Sequence, residues 1–315
     1  MPQKHAETRR LSAAPAPPPD TRRTRLTAIL LMCAAVLCFA LLDASAKWLG
    51  GSMHAMQVVA ARYLISVALV STLLNPWSRP GILRTRRPWL QGFRSLLLLI
   101  STGLNFIALK YLQLAENVSI MFATPFLVAL LAGPILGEWA GPRRLAAIGV
   151  GFIGVLIILR PGFGGLHPAA LLTVCGCFCY AFYSISTRML AASDAPETTM
   201  FYSGIVGAVV MLPLVPLFWS WPADGASWLL MLSVGLFGAL GHWLLILAHQ
   251  RAPASMLSPF NYSQIVWMVA LGWFVFGQIP DGYTFIGASI VIGSGLYLLY
   301  RERVRAVPEG SARLD

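Results

Sequence analysis

Four ionisable residues, Asp43, Lys47, Arg62 and Glu116, lie inside runs of chain that are otherwise apolar. A charged group at the centre of a membrane helix costs at least about 2.5–3.5 kcal/mol, so each is a candidate for a gate, an ion-coupling group or a contact with solute. Asp43 and Lys47 are spaced i,i+4 with the acid first, the better orientation for a helical ion pair, so a mutually neutralising structural network is the competing reading. A second set is polar but uncharged: Asn105, His242, and Asn261 with Gln264, the last two sharing a helix face. Pro259 frees backbone carbonyls just before them. With Ser258, Tyr262, Tyr180 and Tyr183 they offer hydrogen bonds and ring surface for a small polar or aromatic solute. The alternative is bonding between helices, worth only about 0.6 kcal/mol per side chain.

Other patterns carry less chemistry. Cys33, Cys38, Cys175, Cys177 and Cys179 all fall in apolar runs, where a thiol behaves as a small hydrophobe. Cys175-Gly-Cys177-Phe-Cys179 resembles a metal motif, yet at 100° per residue the three thiols of a helix cannot converge on one ion, and no metal site is expected. Gly149-Val-Gly151-Phe-Ile-Gly154 matches the dinucleotide fingerprint in form, but it lies mid-run with no strand before it and no acid near residue 170. These small residues, with Gly287, Ser289, Gly293 and Gly295, let helices approach closely, within one chain or across a homodimer. No Ser/His/Asp, HExxH or Walker arrangement is present, so no catalytic residue and no cofactor is assigned. The alternative of a different class is a membrane enzyme using His242 and His249, which share a face at i,i+7 but lie about two turns apart with no accompanying carboxylate.

The elements that position these residues follow from composition. Of 315 residues, 57% are hydrophobic and 11% charged, and mean hydropathy is +0.70; soluble domains carry about 25% charged residues. The lipid bilayer is therefore the solvent of most of the chain. The apolar runs are continuous over about 20 residues and do not alternate, which selects helices over a β-barrel. Residues 1–25, basic and Pro/Ala-rich, read as a disordered cytoplasmic tail, and 304–315 as a second tail. Between them, apolar segments begin near Leu26, Ala55, Trp89, Ala115, Arg144, Pro168, Thr198, Trp228, Ala254 and Tyr283. The expected fold is all-α, with ten transmembrane helices.

Most of the 23 Lys and Arg fall on one side of such a chain, with Arg79, Arg84, Arg86, Arg87, Arg143, Arg144, Arg188, Arg251 and Arg301 joining the N-terminal tail. Only Lys47, Lys110 and Arg160 fall on the other, which places both termini in the cytoplasm. The net charge of +11 is thus explained by topology, without a nucleic-acid partner. Glu138 beside Arg143 and Arg144 reads as a cytoplasmic charge cluster of little energetic worth. A basic start, an apolar run and Ala44-Ser45-Ala46 also fit a cleavable signal peptide, though the run Leu26 to Leu42 is long for one.

Two stretches share a plan. From Tyr111 to Leu159 and from Gln250 to Leu299 there is a small-residue helix start (Ala115, Ala254), a kinking proline (Pro125, Pro259), Gly137-Glu138 or Gly277-Gln278, then a glycine-rich final run. With five spans per unit, the units 26–162 and 163–303 insert in opposite orientations, the inverted-repeat plan of secondary transporters, whose substrate site lies between the halves near the midplane.

Thr124-Pro125, Leu136-Gly137-Glu138, and Gly149 with Gly154 before Arg160-Pro161-Gly162 resemble the first repeat of the EamA-type drug/metabolite transporter superfamily. Arg251-Ala252-Pro253-Ala254-Ser255 and Gly295-Leu296-Tyr297 are similar to the second. Gln278 departs from the family, which often has Glu there. The resemblance implies a ten-helix transporter of the bacterial inner membrane. Its cargo would be a small metabolite such as an amino-acid derivative or opine-type metallophore, with export as the first reading. Uptake of riboflavin or S-adenosylmethionine is the alternative.

Overall fold

The computed structural model describes residues 22–76, 80–137, 139, 141–160, 167–190, 193–252 and 254–306. Most of the basic tail, the last nine residues, Trp77, Arg79, Glu138, Pro161-Gly162 and Pro253 lie outside them. The described residues form thirteen α-helices and two short 3-10 turns. In chain order these helices are α1 (Arg22–Leu49), α2 (Ala55–Leu74), α3 (Pro88–Leu109), α4 (Leu114–Met121), α5 (Thr124–Leu136), α6 (Pro142–Leu159), α7 (Ala169–Leu190), α8 (Pro196–Met211), α9 (Val215–Phe218), α10 (Gly225–His249), α11 (Ala254–Asn261), α12 (Gln264–Phe276) and α13 (Gly282–Ala306). Among the described residues, seven stretches are long and apolar enough to cross a bilayer, and Leu145–Leu159, Gln264–Phe276 and Gly282–Leu298 are shorter apolar helices.

Local chemistry sets the boundaries. Proline opens α3, α6 and α8, where its missing N–H is one that no helix would have bonded. Asp224 caps α10 by accepting from the Ser227 N–H at 2.8 Å, and Asp281 caps α13 by accepting from the Thr284 N–H at 2.9 Å. Gly137 (φ 74°) and Gly277 (φ 62°) end α5 and α12 in the left-handed region that glycine enters without a Cβ clash. Arg160 adopts φ 46° at the end of α6, held there by its ion pair with Asp281 and by stacking 4.7 Å from the Tyr283 ring.

Packing follows a small set of pairs. The most extensive are α1 against α10, α6 against α13 and α3 against α7; α2 packs against α8 and α10, and α3 also against α8. A Cβ on Gly154 would lie 2.8 Å from the Gly287 oxygen and one on Gly287 2.6 Å from the Gly154 oxygen, so α6 and α13 meet backbone to backbone. Gly207 and Gly235 likewise admit Tyr63 and Ile65 of α2. Gly149 and Gly293, by contrast, face open space.

Two helical runs are interrupted in matching places. Phe122-Ala123 separates α4 from α5, and Tyr262-Ser263 separates α11 from α12. The rings of Phe122 and Tyr262 meet edge to face with centroids 4.9 Å apart, so the interruptions touch.

Candidate functional site

A cavity of about 310 Å³ lies among α2, α3, α7, α8 and α10, within the size range of small-molecule sites. Arg62, Tyr63 and Ser66 of α2 line it together with Gly238 and His242 of α10. Toward the other end it is walled by Arg94, Tyr183, Thr187, Thr199 and Ser203 and reaches Asp194 in the loop between α7 and α8.

Arg94 is the organising residue of that wall. Only 1% of it is exposed. Its guanidinium donates to Thr187 Oγ1 (2.7 Å), Gln91 Oε1 (3.2 Å), the Thr199 carbonyl (3.1 Å), Tyr183 Oη (3.1 Å) and Ser203 Oγ (2.7 Å), and it sits 4.7 Å from the Tyr183 ring. Its donors are occupied by neutral acceptors, which satisfies a buried cation without an acid. Arg62 differs: it is half-buried, donates through Nη1 to Thr102 Oγ1, and lies 5.1 Å from the Tyr63 ring and 6.0 Å from the Phe106 ring. Among the described residues, no carboxylate lies within ion-pair distance of either guanidinium.

At the loop end, Gln91 Nε2 donates to Asp194 (2.8 Å), which also accepts from Thr85 Oγ1 (2.5 Å) and the Arg86 N–H (3.2 Å). Burial pushes the Asp194 carboxyl up, but the bonds from Thr85, Gln91 and Arg86 outweigh it and hold it below the usual carboxylate range. A depressed folded value stabilises the fold above the unfolded pKa of about 3.9, and that contribution disappears as the pH falls through the folded value. Thermal unfolding should therefore place Asp194→Asn below wild type at pH 7, with the gap closing below about pH 4. A gap independent of pH would contradict this clasp.

Outside the cavity lining, a polar chain crosses the bundle. Asn105 Nδ2 donates to Asp43 Oδ1 (3.1 Å), Asn117 Nδ2 to Asn105 Oδ1 (2.7 Å) and Thr173 Oγ1 to Asn117 Oδ1 (2.7 Å), which links α1, α3, α4 and α7. Above it, Lys47 Nζ donates to the carbonyls of Leu109 (2.9 Å) and Leu112 (2.6 Å), at and just beyond the C-terminal end of α3.

These placements revise several sequence expectations. Asp43 and Lys47 do not pair: Lys47 instead satisfies carbonyls that a helix end leaves without intrahelical donors. Asn105 bonds Asp43 and Asn117 and is not part of the cavity lining. Glu116 lies half-buried in the first turn of α4. Of the polar set, Tyr183 and His242 line the cavity, the His242 ring lying 5.0 Å from Phe39. The Tyr180 ring lies 5.2 Å from the Tyr183 ring, tilted by 42°, and is not part of the lining. Asn261, Tyr262 and Gln264 belong to the second interruption and do not line this cavity; Asn261 is exposed and Tyr262 is packed beside Gly295. The Ser258 side chain lies outside the described residues. Cys177 is buried, its thiol reaching the Ile120 carbonyl at 3.6 Å, whereas Cys175 faces outward, so those thiols diverge. Sequence reasoning assigned no role to Arg94, Gln91 and Asp194. The signal was present, since Arg94 is a cation inside a span, but it sits close to the exposed arginines at 84–87.

Residues 26–160 and 167–301 each match the model of the EamA-like transporter family. The chain belongs to this family. Members are transporters, within the drug/metabolite transporter superfamily, and not enzymes, which sets aside the reading built on His242 and His249; His249 Nδ1 in fact meets the Leu245 carbonyl of its own helix at 2.8 Å. The chain is 29% identical over 276 residues to a riboflavin transporter of Vibrio cholerae, covering 87% of this chain and 93% of that one. It is 28% identical to an S-adenosylmethionine uptake transporter of Rickettsia felis, covering 90% and 96%, and 25% identical to a pseudopaline exporter of Pseudomonas aeruginosa, covering 84% and 93%. A solved crystal structure superposes with a TM-score of 0.62 at 21% identity, covering 89% of this chain and 99% of that one, a likeness of fold. This EamA-family chain is accordingly a multi-pass membrane protein that transports a small metabolite.

Proposed function

We propose that this protein is a secondary transporter of the bacterial inner membrane with ten crossings in two inverted five-helix units, carrying its solute through the cavity between Arg62 and Asp194 by alternating access. The single observation that carries this reading is the cavity itself, lined by polar and aromatic side chains and bordered by Asp194 of the loop between α7 and α8, with the bonded Asp43–Asn105–Asn117–Thr173 chain outside its lining; we read the first as its entrance and the second as its closed side. The two-unit plan is supported by the packing pairs. If α1, α2, α3, α4–α5 and α6 correspond to α7, α8, α10, α11–α12 and α13, then α1 against α10 mirrors α7 against α3, while α2 against α8 and α6 against α13 map onto themselves. The interrupted helices agree, being eight and thirteen residues long in both units.

Contacts between connections support the crossings. Leu83 and Thr85 meet Tyr202 and Asp194 at one face. At the other, His54 stacks on Phe218, Tyr111 on His167, and Arg160 pairs with Asp281. The first face bears Arg84, Arg86, Arg87 and Arg188, and its excess of cations supports a cytoplasmic position for it and for both termini. The cavity is then loaded from the cytoplasm, the first half of an export cycle. The cargo class spans amino-acid derivatives and opine-type metallophores. Uptake of riboflavin or S-adenosylmethionine is the second reading, favoured by the names of the Vibrio and Rickettsia relatives.

Metabolites inside and outside deletion and overexpression strains identify the cargo, and flux is then followed in liposomes holding the purified protein. Export predicts a solute enriched in the medium on overexpression and retained in the deletion strain. The reverse sign means uptake, and liposomes without flux contradict a transporter acting alone.

Coupling falls to Asp43, a carboxylate only 7% exposed whose hydrogen-bond donor is Asn105 and which makes no ion pair with Lys47 or Arg62. In the same liposomes Asp43→Asn is expected to abolish the dependence of flux on a pH gradient while leaving gradient-free exchange. Wild-type behaviour in both conditions would make Asp43 structural and move the test to Glu116→Gln.

A further inference from the structure

The cavity lining carries two guanidinium groups against one carboxylate, and one of the two guanidiniums keeps donors free. Asp194 is the carboxylate among the lining residues, and its oxygens already accept from Thr85, Gln91 and the Arg86 N–H. Arg94 is saturated by neutral acceptors. Among the described residues, Arg62 is bonded through Nη1 alone, to the Thr102 hydroxyl, which leaves the remaining donors of its planar fork at the cavity wall. Asp43, the nearby acid of the bundle, feels the charge of Arg62 but is bonded to Asn105 and makes no direct ion pair with it, so the fork itself stays unoccupied by a carboxylate.

Space has been left beside that fork. A Cβ on Gly238 would come within 3.2 Å of Leu42 Cδ1, 3.4 Å of Ser66 Oγ and 3.5 Å of Arg62 Nε, so the absence of a side chain at 238 keeps the approach to the guanidinium open. The Tyr63 and Tyr183 rings and the His242 imidazole flank the same volume. A half-buried guanidinium with unspent donors and no carboxylate in ion-pair contact offers its fork to an acid group bidentately.

We propose that the cavity recognises its solute through an acid group, a carboxylate or phosphate, held by Arg62 and reached past Gly238, with the Tyr63, Tyr183 and His242 rings covering the less polar remainder. This rests on the reading of the cavity as a transport site and narrows its cargo to water-soluble metabolic acids and zwitterions. Arg94 positions Tyr183 and Ser203 and takes no part in binding the acid.

The test uses the purified full-length protein in phosphatidylcholine nanodiscs, equilibrated with one defined mixture of amino acids, organic acids, sugar phosphates, polyamines and uncharged nucleosides. Gel filtration and mass spectrometry then identify what stays bound. Wild type is expected to retain acid-bearing solutes only. Arg62→Gln should lose about tenfold or more in affinity for them, and Arg62→Lys, which keeps the charge but not the fork, should fall between. Gly238→Ala leaves Arg62 in place and should weaken the same solutes, so the site is tested even where an Arg62 variant folds poorly; unfolding midpoints are taken on every sample.

Retention of neutral or cationic solutes alone, equally by Arg62→Gln, overturns the acid site while leaving the transport cavity intact. If wild type retains nothing yet liposomes show flux, the acid site is again wrong and the transport reading stands. Displacement of the bound acid by phosphatidylglycerol in the disc would assign the guanidinium to a lipid headgroup and equally overturn the proposal.

Discussion

Arg94→Met is expected to destabilise the protein by about 3 kcal/mol. Its guanidinium joins α3 to Thr187 and Tyr183 of α7 and to Thr199 and Ser203 of α8, and no other described side chain bridges all three helices so densely. Hydrogen bonds between membrane helices average about 0.6 kcal/mol, whereas bonds to charged groups in proteins reach about 1.5–3 kcal/mol. Five partners at the lower value already give the expected loss, and some recovery follows because Thr187 and Ser203 also bond carbonyls of their own helices. Arg94→Lys should recover little, since an ammonium has three donors and no planar fork. Unfolding of the purified variants in detergent measures the difference. A Met variant as stable as wild type would mean that the cluster is ornamental to folding.

Asn117→Leu should produce the second large effect, on the balance between the two states that the proposed alternating access requires. Asn117 is fully buried and is the middle link between Asn105 and Thr173. Leucine fills the volume but leaves the Asn105 oxygen and the Thr173 hydroxyl without this partner, at about 2 kcal/mol. The penalty falls on the state in which the chain is assembled, so the ratio of states shifts by about thirtyfold toward the one open on the Lys47 side. Impermeant thiol reagents applied from that side report the shift, with stability measured on the same samples. Unchanged labelling with lowered stability would reduce the chain to a structural brace.

Most of the helices were legible because a bilayer imposes a simple rule of length and composition, and because Gly137 and Gly277 mark helix ends by their chemistry. The interruption near Pro259 was legible as well. What it faced was not: the sequence could not tell that Tyr262 would turn onto Phe122 and leave Asn261 exposed, away from the cavity. The Asp43 and Lys47 spacing fitted a local pair, yet Lys47 has a stem long enough to reach the end of a neighbouring helix. Competition between a local acid and distant carbonyls is decided by tertiary packing, which one sequence does not display. Arg94 failed for a related reason, since position alone does not separate a cation at the membrane edge from one enclosed by three helices.

The central claim is a cavity that opens to the arginine-bearing face while the Asn117 chain closes the other. Met200→Cys, placed in the cavity wall of a variant lacking the native cysteines, tests it most directly when an impermeant maleimide is applied separately to right-side-out and inverted vesicles. Labelling in the absence of solute is expected to be fast in inverted vesicles and slow in right-side-out ones, with Asn117→Leu raising the slow rate. Fast labelling only from the outside, or none from either side, would contradict it.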